Sequence, residues 1–279
     1  LIVISGVNTE QAIQQMPLSA LEKEIVRDKQ MSPVVYRFDS PEALRFELAM
    51  RQSIVNAAKA LHDSDASFAI FEKSRSNSQY WTRTSSGGFQ LNNGVRPSDA
   101  IRDIFTNGKQ YAFECATAIV ITWYKAILDV IGDDAFNLYF TNLYLRDWNH
   151  DSDLWLISTH DSKESFPGDV LYFKNPDHNV NTPEWQGENV VKLNGNLFFG
   201  HGVGIETGED MITALNKARE PGSTTPAYLS DLVVFPNFEY LRRLSVRLHA
   251  ELNRRAREKK ASRQEVPIIA VIGSQKGAR

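Results

Sequence analysis

Residues 111–132 read YAFECATAIVITWYKAILDVIG. From Ile119 to Ile131 apolar side chains fall on nearly every side of a helical turn, the pattern of a helix buried at the centre of a fold. Gly132 is the expected stop. The chain's single cysteine, Cys115, stands at the head of this helix, where a side chain can meet both core and solvent. A thiol in the first turn feels the positive helix end, which favours thiolate. A lone cysteine is also a common, inert core filler, so position alone leaves both readings open.

Upstream, residues 1–4 and 34–38 read as short strands and residues 18–28 as a modest amphipathic helix. Ser40-Pro41-Glu42 opens a strong helix to about Leu61, with Leu44, Leu48, Ile54, Val55 and Ala58 facing inward. Residues 68–71, 80–83 and 89–91 read as strands, the last two joined by the Ser85–Gly88 turn. Pro97-Ser98-Asp99-Ala100 predicts a second capped helix, ended by Asn107-Gly108. Downstream of another helix over 133–143, the pattern changes. Residues 154–157, 170–173, 189–193 and 197–201 look like strands separated by Pro, Asn and Gly turns; a helix over 209–219 and a last segment over 228–235 follow. Helices first and strands later predict an α+β fold.

The 279 residues carry a formal charge of −3, which calls for no nucleic-acid partner. One cysteine can make neither an internal disulfide nor a multi-cysteine metal site. LIVISG is too short for a signal-peptide core, and the missing initiator Met suggests a trimmed start. No run approaches the ~18 apolar residues of a membrane span. Asp151 and Asp153 lack the Gly-and-Glu loop of a calcium site, and Gly200, Gly202 and Gly204 lack the order of a nucleotide-binding loop. No metal or cofactor is expected.

A nucleophilic Cys115 needs a proton acceptor and a group to orient it. Of the six histidines, His201 in LFFGHGVGI is the candidate, because a cysteine on a central helix followed by a histidine on a later strand is the papain-like order. Glu188, beside Trp185 and Gly187 at the start of a strand, is a carboxylate that an apolar wall can shift upward. Glu114 is a weaker candidate, since successive helical residues point about 100° apart.

These residues keep specific company: SDAIRDI (98–104), YAFECATAIVI (111–121), LYFKNP (171–176), WQGENV (185–190) and FFGHGVGI (198–205). In this order they resemble the spore-coat protein-glutamine γ-glutamyltransferases, the transglutaminases of endospore-forming bacteria. The resemblance runs from near the N-terminus to about residue 240. It implies a compact relative of the NlpC/P60 and papain-like folds: a buried central helix starting near the catalytic cysteine and packed on an antiparallel sheet. It implies calcium-independent cross-linking of coat proteins in a chain made in the mother cell and acting at the spore coat. Cys115 is then the nucleophile, Glu188 the acid/base partner, Glu114 a backup, and His201 the papain-like histidine. A carboxylate cannot favour a thiolate, so the expected resting pair is thiol with carboxylate. The acyl-enzyme must be shielded from ~55 M water; Trp185, Phe113, Phe198 and Phe199 are candidates for that wall, with Trp185 and Phe113 touching substrate.

The expected catalytic domain is 1–240. Beyond it, residues 241–279 form a basic extension, helical or partly disordered: nine Lys/Arg against two Glu over 242–263, with Leu241, Leu244, Leu248 and Leu252 at helical spacing. The family core lacks this tail. Two other readings remain at this stage: an NlpC/P60-type cysteine amidase or peptidase, and a coat protein with a relic site.

Overall fold

The computed structural model describes residues 1–264; the closing VPIIAVIGSQKGAR lies outside them. The chain begins with β1 (Ile2–Ile4), α1 (Thr9–Gln14), α2 (Ala20–Met31), β2 (Tyr36–Phe38) and α3 (Pro41–His62). β1 and β2 pair in parallel. The start of α3 is the predicted one: Ser40 accepts the Ala43 N–H and Pro41 occupies the first turn. α2 opens on a reciprocal Ser19–Glu22 capping box. The short α1, with no buried residue, carries no apolar period and was not anticipated.

Then come β3 (Ser67–Phe68), β4 (Trp81–Arg83), β5 (Phe89–Leu91), α4 (Pro97–Thr106), β6 (Ala112–Phe113), α5 (Cys115–Tyr139) and β7 (Tyr144–Leu145). The strand expected over 68–71 is shorter, because the chain turns into a 3-10 helix at Phe71–Lys73. α4 starts where expected but without a side-chain cap. Ser98 is buried instead against Asn137, which accepts its N–H and donates to its hydroxyl, both at 2.9 Å. Gly132 breaks α5 with φ 80° and ψ 167°, and a further helical stretch follows it. By length and composition α5 would pass as a membrane span. Its burial makes it the central core helix instead, with Trp123, Tyr124 and Ile127 fully enclosed.

The second half supplies β8 (Leu156–His160), β9 (Val170–Lys174), β10 (Gly187–Lys192), β11 (Leu197–Gly200), β12 (Gly204–Thr207), α6 (Gly208–Asn216), β13 (Tyr228–Pro236) and α7 (Phe238–Gln264). The strands form one six-stranded antiparallel sheet in the order β12-β11-β10-β9-β13-β8. Alternation along each strand sends neighbours to opposite faces. Val170 and Val191 join α5 in the main core. Leu171, Phe173 and Val190 join Met211 and Leu215 of α6 on the other side. The expected α+β arrangement, with a central helix on an antiparallel sheet, is the one found.

The expected boundary at residue 240 falls inside α7. Leu241, Leu244 and Leu248 are buried in the main core beside α5, so the first turns of the supposed extension complete the core. Phe238 also covers Arg51, whose guanidinium lies 4.9 Å from the ring centroid. Arg51 is 2% exposed and sits in a dry charge cluster. Its Nε donates to Glu47 at 2.8 Å and its Nη1 to Asp169 at 2.7 Å. Lys29 joins Glu47 at 3.0 Å. The cluster ties α2, α3 and the start of β9 together.

Candidate active site

Cys115 is reached through a braced lead-in. Asp103 on α4 accepts from Tyr111, Asn77 and Asn107, and this buried knot fixes the turn that feeds β6. β6 pairs in parallel with β3 and delivers Glu114 as the cap of α5. The Glu114 carboxylate accepts the N–H of Ala116 at 2.6 Å and of Thr117 at 2.7 Å. Its oxygens are thus engaged in holding the helix head. The Thr117 hydroxyl continues the chain of contacts, accepting the Asp147 N–H at 2.9 Å.

The half-buried thiol opens into a groove of about 970 Å³. Phe68, Trp148, Tyr172, Leu156, Leu232 and Val234 give it an apolar lining. Glu114 lines it too, as do three further carboxylates, Glu72, Asp147 and Glu184; among the described residues no Lys, Arg or His does. The loop that forms one wall is pinned by buried Asn175, whose Nδ2 donates to the carbonyls of Trp185 and Leu215, both at 2.9 Å.

Asn189 of β10 donates from Nδ2 to Cys115 Sγ at 3.3 Å. Its neighbour Glu188 turns the other way, as strand alternation requires. Glu188 is 1% exposed and accepts the Gly202 N–H at 2.9 Å. The glycines make its slot: a Cβ on Gly200 would stand 2.7 Å from Glu188 Cγ, and one on Gly202 3.0 Å from Oε2. Burial pushes the Glu188 carboxyl up to about 7, helped by the Glu114 charge and opposed by the Gly202 N–H.

The same forces act on the thiol. Burial, then the charges of Glu188 and Glu114, push Cys115 up to about 12, against the hydrogen bonds from Asn189. The helix end expected to favour thiolate is outweighed, and the resting group is a neutral thiol. Glu188 and Cys115 share a field but no hydrogen bond.

His201 lies one residue beyond β11, in the turn rather than on the strand. It hydrogen-bonds neither Cys115 nor Glu188. Its Nε2 donates to the Ser67 carbonyl at 3.1 Å, and its ring stacks on Phe113 at 4.7 Å. Burial lowers its pKa to about 4, so it is neutral near pH 7. The wall also differs from expectation. Phe113, Phe198 and Phe199 are core residues. Trp185 stacks on Phe68 at 6.3 Å, and of these two rings it is Phe68 that lines the groove. Asp151 and Asp153 are structural: the Asp151 N–H donates to the Tyr124 hydroxyl at 2.8 Å, and the Tyr240 hydroxyl donates to the Asp153 carboxylate. Sequence reasoning passed over Asn189, which stood in WQGENV next to Glu188; only the strand register turns it to the thiol.

A thiol at the head of a buried helix, open to a groove and backed by a carboxyl poised near neutrality, is the equipment of a thiol-dependent acyltransferase. Comparison with known proteins makes this specific. The family described as "Protein-glutamine gamma-glutamyltransferase" matches residues 1–245. A protein of that name from Halalkalibacterium halodurans is 47% identical over 213 residues, covering 76% of this chain and 75% of the relative. One from Bacillus pumilus is 40% identical over 245 residues, covering 88% and 99%. A solved transglutaminase from Geobacillus stearothermophilus, without its C-terminal extension, superimposes with a TM-score of 0.70 at 51% identity, covering 73% of this chain and 97% of that one. The chain belongs to the protein-glutamine gamma-glutamyltransferase family, and the enzyme is an acyltransferase.

Proposed function

We propose that the enzyme cross-links proteins through ε-(γ-glutamyl)lysine bonds, with Cys115 as nucleophile and Glu188 as proton carrier, and that its substrates are proteins of the spore coat. The observation that carries the residue assignment is the pairing of a neutral, groove-facing thiol with a buried carboxyl near its midpoint at pH 7. The coat assignment rests on the motif resemblance, and places synthesis in the mother cell and action at the coat.

The chemistry runs in two halves. Cys115 Sγ attacks the side-chain carboxamide carbon of a glutamine; the S–C bond forms as the thiol proton passes to Glu188. The C–N bond then breaks, the proton moves from Glu188 to the leaving nitrogen, and ammonia departs from the thioester. A lysine amine attacks that thioester. Glu188 takes the proton released from nitrogen and returns it to sulfur as the C–S bond breaks. A carboxyl near 7 serves both directions at neutral pH. The resting geometry leaves Glu188 and Cys115 apart, and the catalytic contact is completed with substrate bound.

Glu72, Asp147 and Glu184 line the groove, and among the described residues no ion pair or hydrogen bond engages their carboxylates. Their field favours a lysine ammonium at the mouth. The apolar lining further in strips water from the acyl-enzyme and from the amine. Glu114 serves by capping α5, and His201 by packing behind Phe113.

The test is incorporation of a fluorescent primary amine into a glutamine-rich protein in the presence of EDTA. Labelling is expected to persist with EDTA and to vanish in Cys115→Ala. Ammonia release without amine incorporation would make the enzyme a hydrolase. Neither signal from a folded protein would remove the assignment.

A further inference from the structure

We propose that the side-chain amide of Asn189 and the main-chain N–H of Cys115 form the oxyanion pocket of this enzyme, making Asn189 a catalytic residue. The inference rests on the transglutaminase reading above and adds the electrostatic half of its mechanism.

Three observations point to this pair. Asn189 is 9% exposed, lines the groove, and aims Nδ2 at Cys115 Sγ from 3.3 Å. That bond is a poor use of a buried amide, because neutral sulfur is a weak acceptor. An oxygen on the carbon that Sγ attacks comes within reach of the same N–H, and as it gains charge it becomes a far stronger acceptor. The interaction therefore strengthens between ground state and transition state, which is the condition for catalysis.

The second donor follows from the helix cap. Glu114 takes the N–H groups of Ala116 and Thr117 and leaves that of Cys115. Among the described residues no acceptor takes the Cys115 N–H. It is the first donor of α5, at the positive helix end. The cap thus engages two N–H groups of the first turn and spares the one beside the nucleophile.

The placement of Asn189 is rigid. It stands opposite Tyr172 in the β9–β10 ladder, with Gly187 before it opposite Lys174. A Cβ at Gly187 would fall 2.2 Å from the Tyr172 hydroxyl, so this register leaves the amide one direction to face.

The electron count is simple. As the S–C bond forms, the carbonyl π pair moves onto oxygen, where the two N–H groups hold it. When the C–N bond breaks, the pair returns and the thioester forms. The second half-reaction passes through the same oxyanion, so one pocket serves both transfers.

Two rates separate this role from a mere grip on the thiol. Alkylation of Cys115 by iodoacetamide develops no oxyanion; acylation by a glutamine donor does. Asn189→Ala is expected to lower the kcat/KM for amine incorporation about 10²–10³-fold. Cys115 alkylation, compared at about pH 8 per folded molecule, is expected to change less than about threefold. A peptide carrying glutamate γ-semialdehyde, which forms a hemithioacetal with the thiol, should lose affinity in parallel with kcat/KM. If Asn189→Ala does not fold, Asn189→Leu keeps the side-chain shape without the donor and is read by the same rates. Acylation within threefold of the parent would overturn the proposal, and so would equal losses in acylation and alkylation. Either result, with Cys115→Ala still inactive, leaves the transglutaminase reading standing.

Discussion

Around Arg51 and around Cys115 the fold buries ionisable side chains with little access to water, but the company differs. Glu47 and Asp169 both meet the Arg51 guanidinium, and Glu47 also meets Lys29. Burial alone would raise Glu47; the two cations overrule it and hold the carboxyl at about 2. Glu188 has no cation. Among the described residues one N–H, that of Gly202, anchors it, and the charge acting on it is the negative one of Glu114, so burial wins and it rises to about 7. Depth does not decide whether a buried carboxyl is structural or reactive. The sign of its neighbours does.

The largest expected effect lies in the paired cluster. Arg51→Ala leaves Glu47 and Asp169 buried without their partner, which should destabilise the fold by about 3–5 kcal/mol. Urea denaturation measures it, and activity per folded molecule should stay within about twofold. A loss below about 1 kcal/mol would show that the cluster is not what holds α3 to β9.

Next is the unpaired acid. Glu188→Gln should lower amine incorporation by about 10²–10⁴-fold, the usual weight of general acid–base catalysis. The parent's kcat/KM for the glutamine donor should rise with pH through about 7, as Glu188 ionises, and the variant should lose that limb. Stability should move oppositely. The folded pKa lies above the unfolded value, so the linked stability is full below about pH 4.5 and disappears as pH rises through 7. At pH 8 the parent forgoes about 3 kcal/mol through this group. Thermal melts from pH 5 to 8 should fall in the parent and stay flatter in Glu188→Gln.

The smallest effect tests the cap. Glu114→Gln keeps an acceptor oxygen and removes a charge that raises both Glu188 and Cys115. The activity limb should shift below pH 7, with about 1 kcal/mol lost from the α5 cap. Complete loss of activity would instead give Glu114 a direct part in proton transfer.

Much of this was legible along the chain. Ser40-Pro41 marked α3, and the all-round apolar run marked α5 as central, because caps and periodicity are local signals. Cys115 and Glu188 stood out within their motifs. What failed depended on distance and register. His201 sat in the right order but one residue past its strand, and its ring turned to Ser67 and Phe113. Trp185 and Phe113 were chosen for nearness in sequence, whereas Leu156, Leu232 and Val234 come to the groove from β8 and β13. Glu47 and Arg51 show as an i,i+4 pair on α3, yet Asp169 arrives from 118 positions away. The basic run after 240 hid leucines that finish the core.

The slot at Gly200 and Gly202 holds a consequence for evolution in the laboratory. A selection that rewards only survival at alkaline pH would favour replacing Glu188 by a neutral side chain of its size, since that removes a penalty the fold otherwise carries. On the proposed mechanism the same step would cost the enzyme most of its turnover. Breeding a hardier form therefore requires scoring turnover and heat resistance together, and the improvements that pass both screens should accumulate far from this slot.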